Sequence, residues 1–311
     1  MHPWNVPLLD AIRTRAGRLP HALLIHGARG AGKLALAERI AQLVLCEASD
    51  PGRRPCDACD ACRWYSAGNH PDFRRLEPEA LRKPSENPEE EPAPARKTRP
   101  STEIKVDQVR ELAHFLNLRS HRGAYRLALV HPAEAMNPNS ANALLKSLEE
   151  PPAGAMFILV SHAPAQLLPT VRSRCQAIPV PVPPRDTALG WLESQGIKEA
   201  ARWLAYAGGA PLRAVEYAEQ APLIDRLLRN PGLVEDRDLL PLLAEALQKM
   251  ALDRAFAAFG IEPKYQTGAA AGDPKAWLAF ARRMGEERQL AHHEVNPKLF
   301  SAQLLASRPR S

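Results

Sequence analysis

The stretch Ala22-Leu23-Leu24-Ile25-His26-Gly27-Ala28-Arg29-Gly30-Ala31-Gly32-Lys33-Leu34 decides how this chain is read. Its first half is a short apolar run of the kind that makes a buried strand. Its second half is glycine-rich and opens an amphipathic helix. The strand–loop–helix order matches the P-loop pattern through the lysine. Gly27, Gly30 and Gly32 let backbone N–H groups wrap phosphate oxygens at a helix N-terminus, where the dipole favours anions, and Lys33 would meet the β/γ phosphates. The eighth position of the pattern calls for a Ser or Thr hydroxyl to hold Mg²⁺. Leu34 stands there, and an apolar side chain cannot ligate a metal. The cradle is kept and the metal seat is damaged.

Working outward, residues 127–130, 156–160 and 177–180 are further strand candidates. Between them apolar residues recur at helical spacing: Ile104, Val109, Leu112, Ala113 and Leu116, with Asp107 as N-cap, then Ala141, Leu144, Leu145 and Leu148, stopped by Glu149-Glu150-Pro151-Pro152. Such alternation predicts a three-layer α/β domain around a parallel sheet. Residues 77–103 shift abruptly to Pro, Glu, Lys and Arg with almost nothing to bury, which predicts a disordered surface insertion that loops out without touching the fold. After Pro183-Pro184 the strands stop. Short helices broken at Gly208-Gly209 follow, then longer amphipathic helices over 239–259 and 276–290. Three parts are expected: an α/β domain over 1–182, a small helical domain over 183–222 and an all-α domain over 223–311.

Composition is that of a soluble globular protein, with 45% hydrophobic and 24% charged residues in 311. No apolar run is long enough for a membrane helix and the first residues do not read as a secretory signal, so a cytoplasmic protein is expected. The 41 basic against 35 acidic residues permit nucleic-acid contact without requiring it.

A hydrolysing P-loop protein also needs a strand that ends in acidic residues to hold the metal and polarise water. The strand at 127–130 instead runs into His131-Pro132-Ala133-Glu134, with the acid displaced along the chain. Two independent defects thus point to a nucleotide fold that turns over ATP poorly or not at all. Cys46, Cys56, Cys59 and Cys62 are spaced C-x9-C-x2-C-x2-C, which suits a closed structural zinc site of four thiolates better than disulfides or a redox pair. A zinc module reading DNA sequence would need a basic helix; Arg63-Trp64-Tyr65-Ser66 offers one basic residue among aromatics, so packing against the sheet is the expectation. Cys175 stands alone and reads as a packing residue. Arg174, in Arg172-Ser173-Arg174-Cys175, is either part of a solvated basic turn or an arginine finger given to a neighbour's γ-phosphate. Arg213, at a helix start, is either an exposed cap residue or a nucleotide sensor.

The damaged P-loop, the cysteine cluster, His70-Pro71-Asp72, Asn142-Ala143-Leu144-Leu145-Lys146-Ser147-Leu148-Glu149-Glu150-Pro151-Pro152 and Ser173-Arg174-Cys175 occur in the order found in bacterial clamp-loader subunits. The chain resembles the delta-prime family of these subunits, AAA+ relatives belonging to DNA polymerase III; the missing acids and the broken loop select that family over the hydrolysing gamma/tau type. The resemblance is dense over 19–183 and weak toward the C-terminus. It implies an AAA+ α/β domain, a helical lid and a C-terminal collar that assembles a ring with gamma/tau and delta subunits. It implies a rigid stator without intrinsic activity, part of the holoenzyme that is a DNA-directed DNA polymerase by association. It implies further that Arg174 serves a gamma/tau ATP site in trans during loading of the sliding clamp onto primer-template DNA. The cofactor expected is structural zinc; productive ATP binding by this chain is not expected, although Gly27, Gly32 and Lys33 could still take phosphate. The alternative is an autonomous ATPase of gamma/tau type, in which Leu34 is immaterial and Glu134 replaces the missing acid.

Overall fold

The computed structural model describes residues 1–82, 100–121, 123, 125–268, 272–291 and 295–309. In chain order the first unit runs α1 (Val6–Arg13), β1 (Ala22–His26), α2 (Lys33–Leu45), α3 (Asp60–Ser66), β2 (Phe73–Leu76), α4 (Val106–Asn117), β3 (Arg126–Val130), α5 (Pro138–Glu149), β4 (Ala155–Ser161), α6 (Pro169–Arg172) and β5 (Gln176–Pro179). Every strand pairing is parallel, and the strands lie in the order β2-β3-β4-β1-β5. Leu24 stands beside Leu159, and Leu127 beside Met156.

Alternation along the strands divides the side chains into two cores. Leu24, Ala128, Val130, Phe157 and Leu159 face α4 and α5. Leu23, Ile25, Leu127, Leu129, Ile158 and Val160 face α1 and α2. With helices over both faces, central β4 is buried at every position and reads as one apolar run. The three-layer α/β expectation is met.

Three expectations need correction. Strand β2 was not foreseen: Phe73-Arg74-Arg75-Leu76 lies at the sheet edge, where both arginines reach solvent and only Leu76 is fully buried. Asp107 is not the N-cap of α4. Lys105 holds that place, and the Gln108 side chain accepts its backbone N–H at 2.8 Å. The ends of the 77–103 segment do touch the fold. Ala80 N–H donates to Ser101 O at 3.0 Å, Lys105 pairs with Glu79, and Gln108 donates to Glu77 O. Its centre, 83–99, lies outside the described residues.

The second unit, Val182–Ser311, is all helical among the described residues. It comprises α7 (Arg185–Ser194), α8 (Ala200–Tyr206), α9 (Pro211–Glu219), α10 (Ala221–Arg229), α11 (Leu240–Ala258), α12 (Pro274–Leu290) and α13 (Pro297–Ala306). It holds two apolar clusters. One gathers Leu192, Trp203, Tyr206 and Tyr217; the other packs Leu243, Leu247 and Met250 of α11 against Trp277, Phe280 and Met284 of α12. The boundary expected at 222 falls inside α10, which gives Ile224 to the first cluster and Leu227 to the second.

Candidate functional site

The P-loop leaves the end of β1, and its geometry follows from what crowds it. A Cβ on Gly27 would come within 2.2 Å of Val180 O, so only glycine allows β5 to close on β1 there. Gly32 is the N-cap of α2 in the left-handed region at φ 83°, with His2 and Asn5 against its Cα; Gly30, at φ 85°, lies in the loop between. The N-terminal segment is strapped over this turn: Trp4 Nε1 donates to Ala31 O at 3.0 Å, and Asn5 Nδ2 to Gly32 O at 3.1 Å. Lys33 does not reach outward. Its ammonium donates back to Gly27 O at 2.8 Å and Ala28 O at 2.6 Å. Leu34 packs against the apolar core, which is the positive reason for an apolar residue at the metal-seat position.

Acid chemistry is nearer to this loop than the sequence suggests. Burial brings Lys33 down to about 8, opposed by the carboxylate of Glu134 and reinforced by Arg29. Glu134 Oε1 accepts the His162 N–H at 2.8 Å. His131 follows β3, His162 follows β4, and their rings meet edge to face at 5.3 Å. Burial first, then Arg75, Lys33 and Arg29, hold His131 down to about 4; burial, then Lys33, His131 and Arg29, hold His162 down to about 3. Both are neutral at pH 7. The strand ends thus assemble a lysine, a carboxylate and two neutral imidazoles beside a glycine loop whose metal-seat position, Leu34, carries no hydroxyl. In the sequence Glu134 reads only as an acid displaced along the chain, and His162 carries no signal beyond its position just past an apolar strand.

The four cysteines converge at the far end of α2. Their sulfurs all lie within 4.8 Å of one another. Cys46 Sγ to Cys59 Sγ is 3.9 Å and Cys56 Sγ to Cys62 Sγ 4.0 Å, close to the ~3.8 Å edge of a tetrahedron with Zn–S near ~2.3 Å. Backbone N–H groups of Cys56, Cys59 and Cys62 donate to Cys46, Cys56 and Cys59 sulfurs, each at 3.4 Å. N–H groups of Ala58 and Cys59 pull the Cys56 thiol down to about 6, while burial pushes Cys46 and Cys62 up. Four thiolates so close repel unless a cation lies among them, so the donor set fits a tetrahedral metal ion. The cluster is docked on α2 by Asp57, which takes an Arg39 fork at 2.5 and 2.6 Å and the Gln42 amide at 2.9 Å. Trp64 and Tyr65 pack inward, on His70 and Phe73 respectively.

His70-Pro71-Asp72 is a structural device. Asp72 is fully buried; it accepts the His121 N–H at 2.8 Å and the Ser120 hydroxyl at 3.1 Å, and lies 3.7 Å from Arg126 Nε. Arg126 in turn donates to Phe115 O and Arg119 O. The cluster pins the loop that leads into β3.

Arg174 lies just beyond α6. Its Nη1 donates to Thr170 O at 3.0 Å, and its Nη2 pairs with Glu149 at 2.6 Å. With His21, Leu148, Glu150 and Ser173 these two residues rim an open recess of about 840 Å³. Cys175 packs against the core, as expected. Arg213 is no exposed cap. It is half-buried over the Tyr217 ring, paired with Glu216 and with Glu245 of α11.

A parallel sheet with a glycine loop after its first strand, followed by a unit that is all helical among the described residues, defines a P-loop-type α/β fold with a helical second unit. A family model described as DNA polymerase III, delta subunit, matches residues 8–183. The DNA polymerase III subunit delta-prime of Pseudomonas aeruginosa is 40% identical over 218 residues, 69% of this chain and 60% of that protein. That of Yersinia pestis is 34% identical over 254 residues, 81% and 68% respectively. Among solved structures, a DNA polymerase III gamma subunit-related protein from Thermotoga maritima superposes with a TM-score of 0.53 at 17% identity, covering 96% of this chain and 97% of that one. That likeness speaks for the fold alone. The chain belongs to the delta-prime family of DNA polymerase III subunits.

Proposed function

We propose that this chain is the non-hydrolysing member of a clamp-loader assembly: it gives Arg174 to the ATP site of a neighbouring gamma/tau-type subunit and acts as a fixed stator while a sliding clamp is loaded onto primed DNA. The observation that carries this reading is the contrast between its two phosphate-competent features. Lys33 is folded onto its own loop carbonyls and Leu34 packs against the core, whereas Arg174 sits at the rim of an open recess. An arginine supplied in trans is worth ~10³–10⁵ in rate where it operates. On this reading residues 183–222 are the lid and 223–311 the collar that joins the ring, and the four cysteines hold structural zinc, supplying fold and no chemistry.

One observation favours the autonomous ATPase as a second reading: the Glu134 carboxylate acts on Lys33. The experiment that separates them is clamp- and DNA-stimulated ATP turnover by the chain alone, and by the chain assembled with gamma/tau- and delta-type subunits, as wild type and Arg174→Ala. The stator reading expects no turnover from the chain alone and a sharp fall in the assembly on losing Arg174. Turnover by the isolated chain would support the second reading.

A further inference from the structure

We propose that Glu149 is a positioning residue for Arg174: its carboxylate holds the guanidinium when no phosphate is present and competes with the phosphate for it. The inference rests on the reading of Arg174 as a finger. Two separate elements converge on this side chain. Thr170 O and Ser173 Oγ, from its own turn, take Nη1 at 3.0 and 3.2 Å, and Glu149, the last residue of α5, stands 2.6 Å from Nη2. A carboxylate at a helix C-terminus faces the negative end of the dipole, and Glu150 follows it directly. Arg174, together with Lys146 in the last turn of α5, offsets this placement, and Arg174 is the one paired with the carboxylate. Both partners rim the same open recess, the side from which a neighbouring subunit's phosphate would arrive.

A phosphate oxygen that reaches Arg174 must displace Glu149 or lie beside its negative charge. Either way the carboxylate weakens the phosphate's hold. Because the two side chains are 35% and 48% exposed, the penalty is small. An exposed pair of at most ~1 kcal/mol corresponds to about five-fold in affinity. Glu149 therefore sets a threshold: the finger engages a well-placed γ-phosphate and otherwise stays parked on its own subunit.

The test is the ATP dependence of turnover by the full chain assembled with gamma/tau- and delta-type subunits, as wild type, Glu149→Gln, Arg174→Ala and the double variant. Glu149→Gln should lower the KM for ATP about two- to five-fold, with less effect at high salt, and should do nothing when Arg174 is already Ala. If Glu149→Gln leaves KM unchanged or raises it while Arg174→Ala is still impaired, the proposal for Glu149 is overturned and the finger stands. An equal gain in the Arg174→Ala background also overturns it, since Glu149 would then act by another route. If Arg174→Ala matches wild type, the finger itself fails.

Discussion

Asp72→Ala is the substitution whose cost the structure fixes most directly. Asp72 and Arg126 have side chains 0% and 4% exposed, and their closest charged atoms lie 3.7 Å apart. Removing the carboxylate leaves a buried guanidinium without its countercharge and takes the acceptor from the Ser120 hydroxyl and the His121 N–H. Breaking a buried pair from one side costs ~3–5 kcal/mol, and the two lost acceptances place this case in the upper half of that range. Arg126→Met added to Asp72→Ala should return ~1.5–3 kcal/mol, because the orphaned charge goes with it. The assay is native-state hydrogen exchange at the β3 amides of Leu127, Leu129 and Val130, which report opening of the strand that Asp72 anchors. Since Leu127 N–H donates to Asp72 O at 2.9 Å, the effect should appear there first. A loss below ~1 kcal/mol, or a double variant equal to the sum of its parts, would refute the assignment of the pair as a coupled anchor.

Two further outcomes are expected. Metal analysis of protein purified without chelator should find one zinc per chain, and stripping it should melt α3 and the 46–62 loops while the sheet keeps its exchange protection; an unchanged α3 would refute a structural role for the metal. In the helical unit, Lys249, Tyr217 and Arg213 hold Glu245 down to about 2, from 4.5, against the burial that would raise it. A depressed carboxylate stabilises above its unfolded value, so that unit should lose ~2–3 kcal/mol as pH falls from 4.5 toward 2. Acid unfolding of Glu245→Gln should lack that component.

What could be read from the sequence was what is local in it. Strands β1, β3 and β4 are buried at nearly every position because helices cover both sides of the sheet, and that leaves a mark in the residues themselves; β5, at one edge and mostly exposed, shows only the short run of Ala177, Ile178 and Val180. Strand β2 leaves none: as an edge strand it exposes Arg74 and Arg75 and needs only Leu76 for anchorage. The glycine loop and the cysteine cluster were legible because short spacings specify them. The grouping of Lys33, Glu134 and His162 was not, because it depends on β1, β4 and β3 lying side by side, and that order is a property of the topology. The same holds for Arg213, whose partner Glu245 comes from a helix two elements later: the sequence leaves it open between an exposed cap and a nucleotide sensor, and only the packing shows it half-buried and paired.

Helix α2 carries the glycine loop at one end and Cys46 at the other. At ~1.5 Å per residue its 13 residues make a bar of about 20 Å. A bar held by the four-cysteine cluster at its foot and strapped by residues 2–5 at its head has little freedom to pivot. Ligand-driven rocking of that helix, the stroke by which a working motor would convert phosphate release into displacement, is braced at both ends.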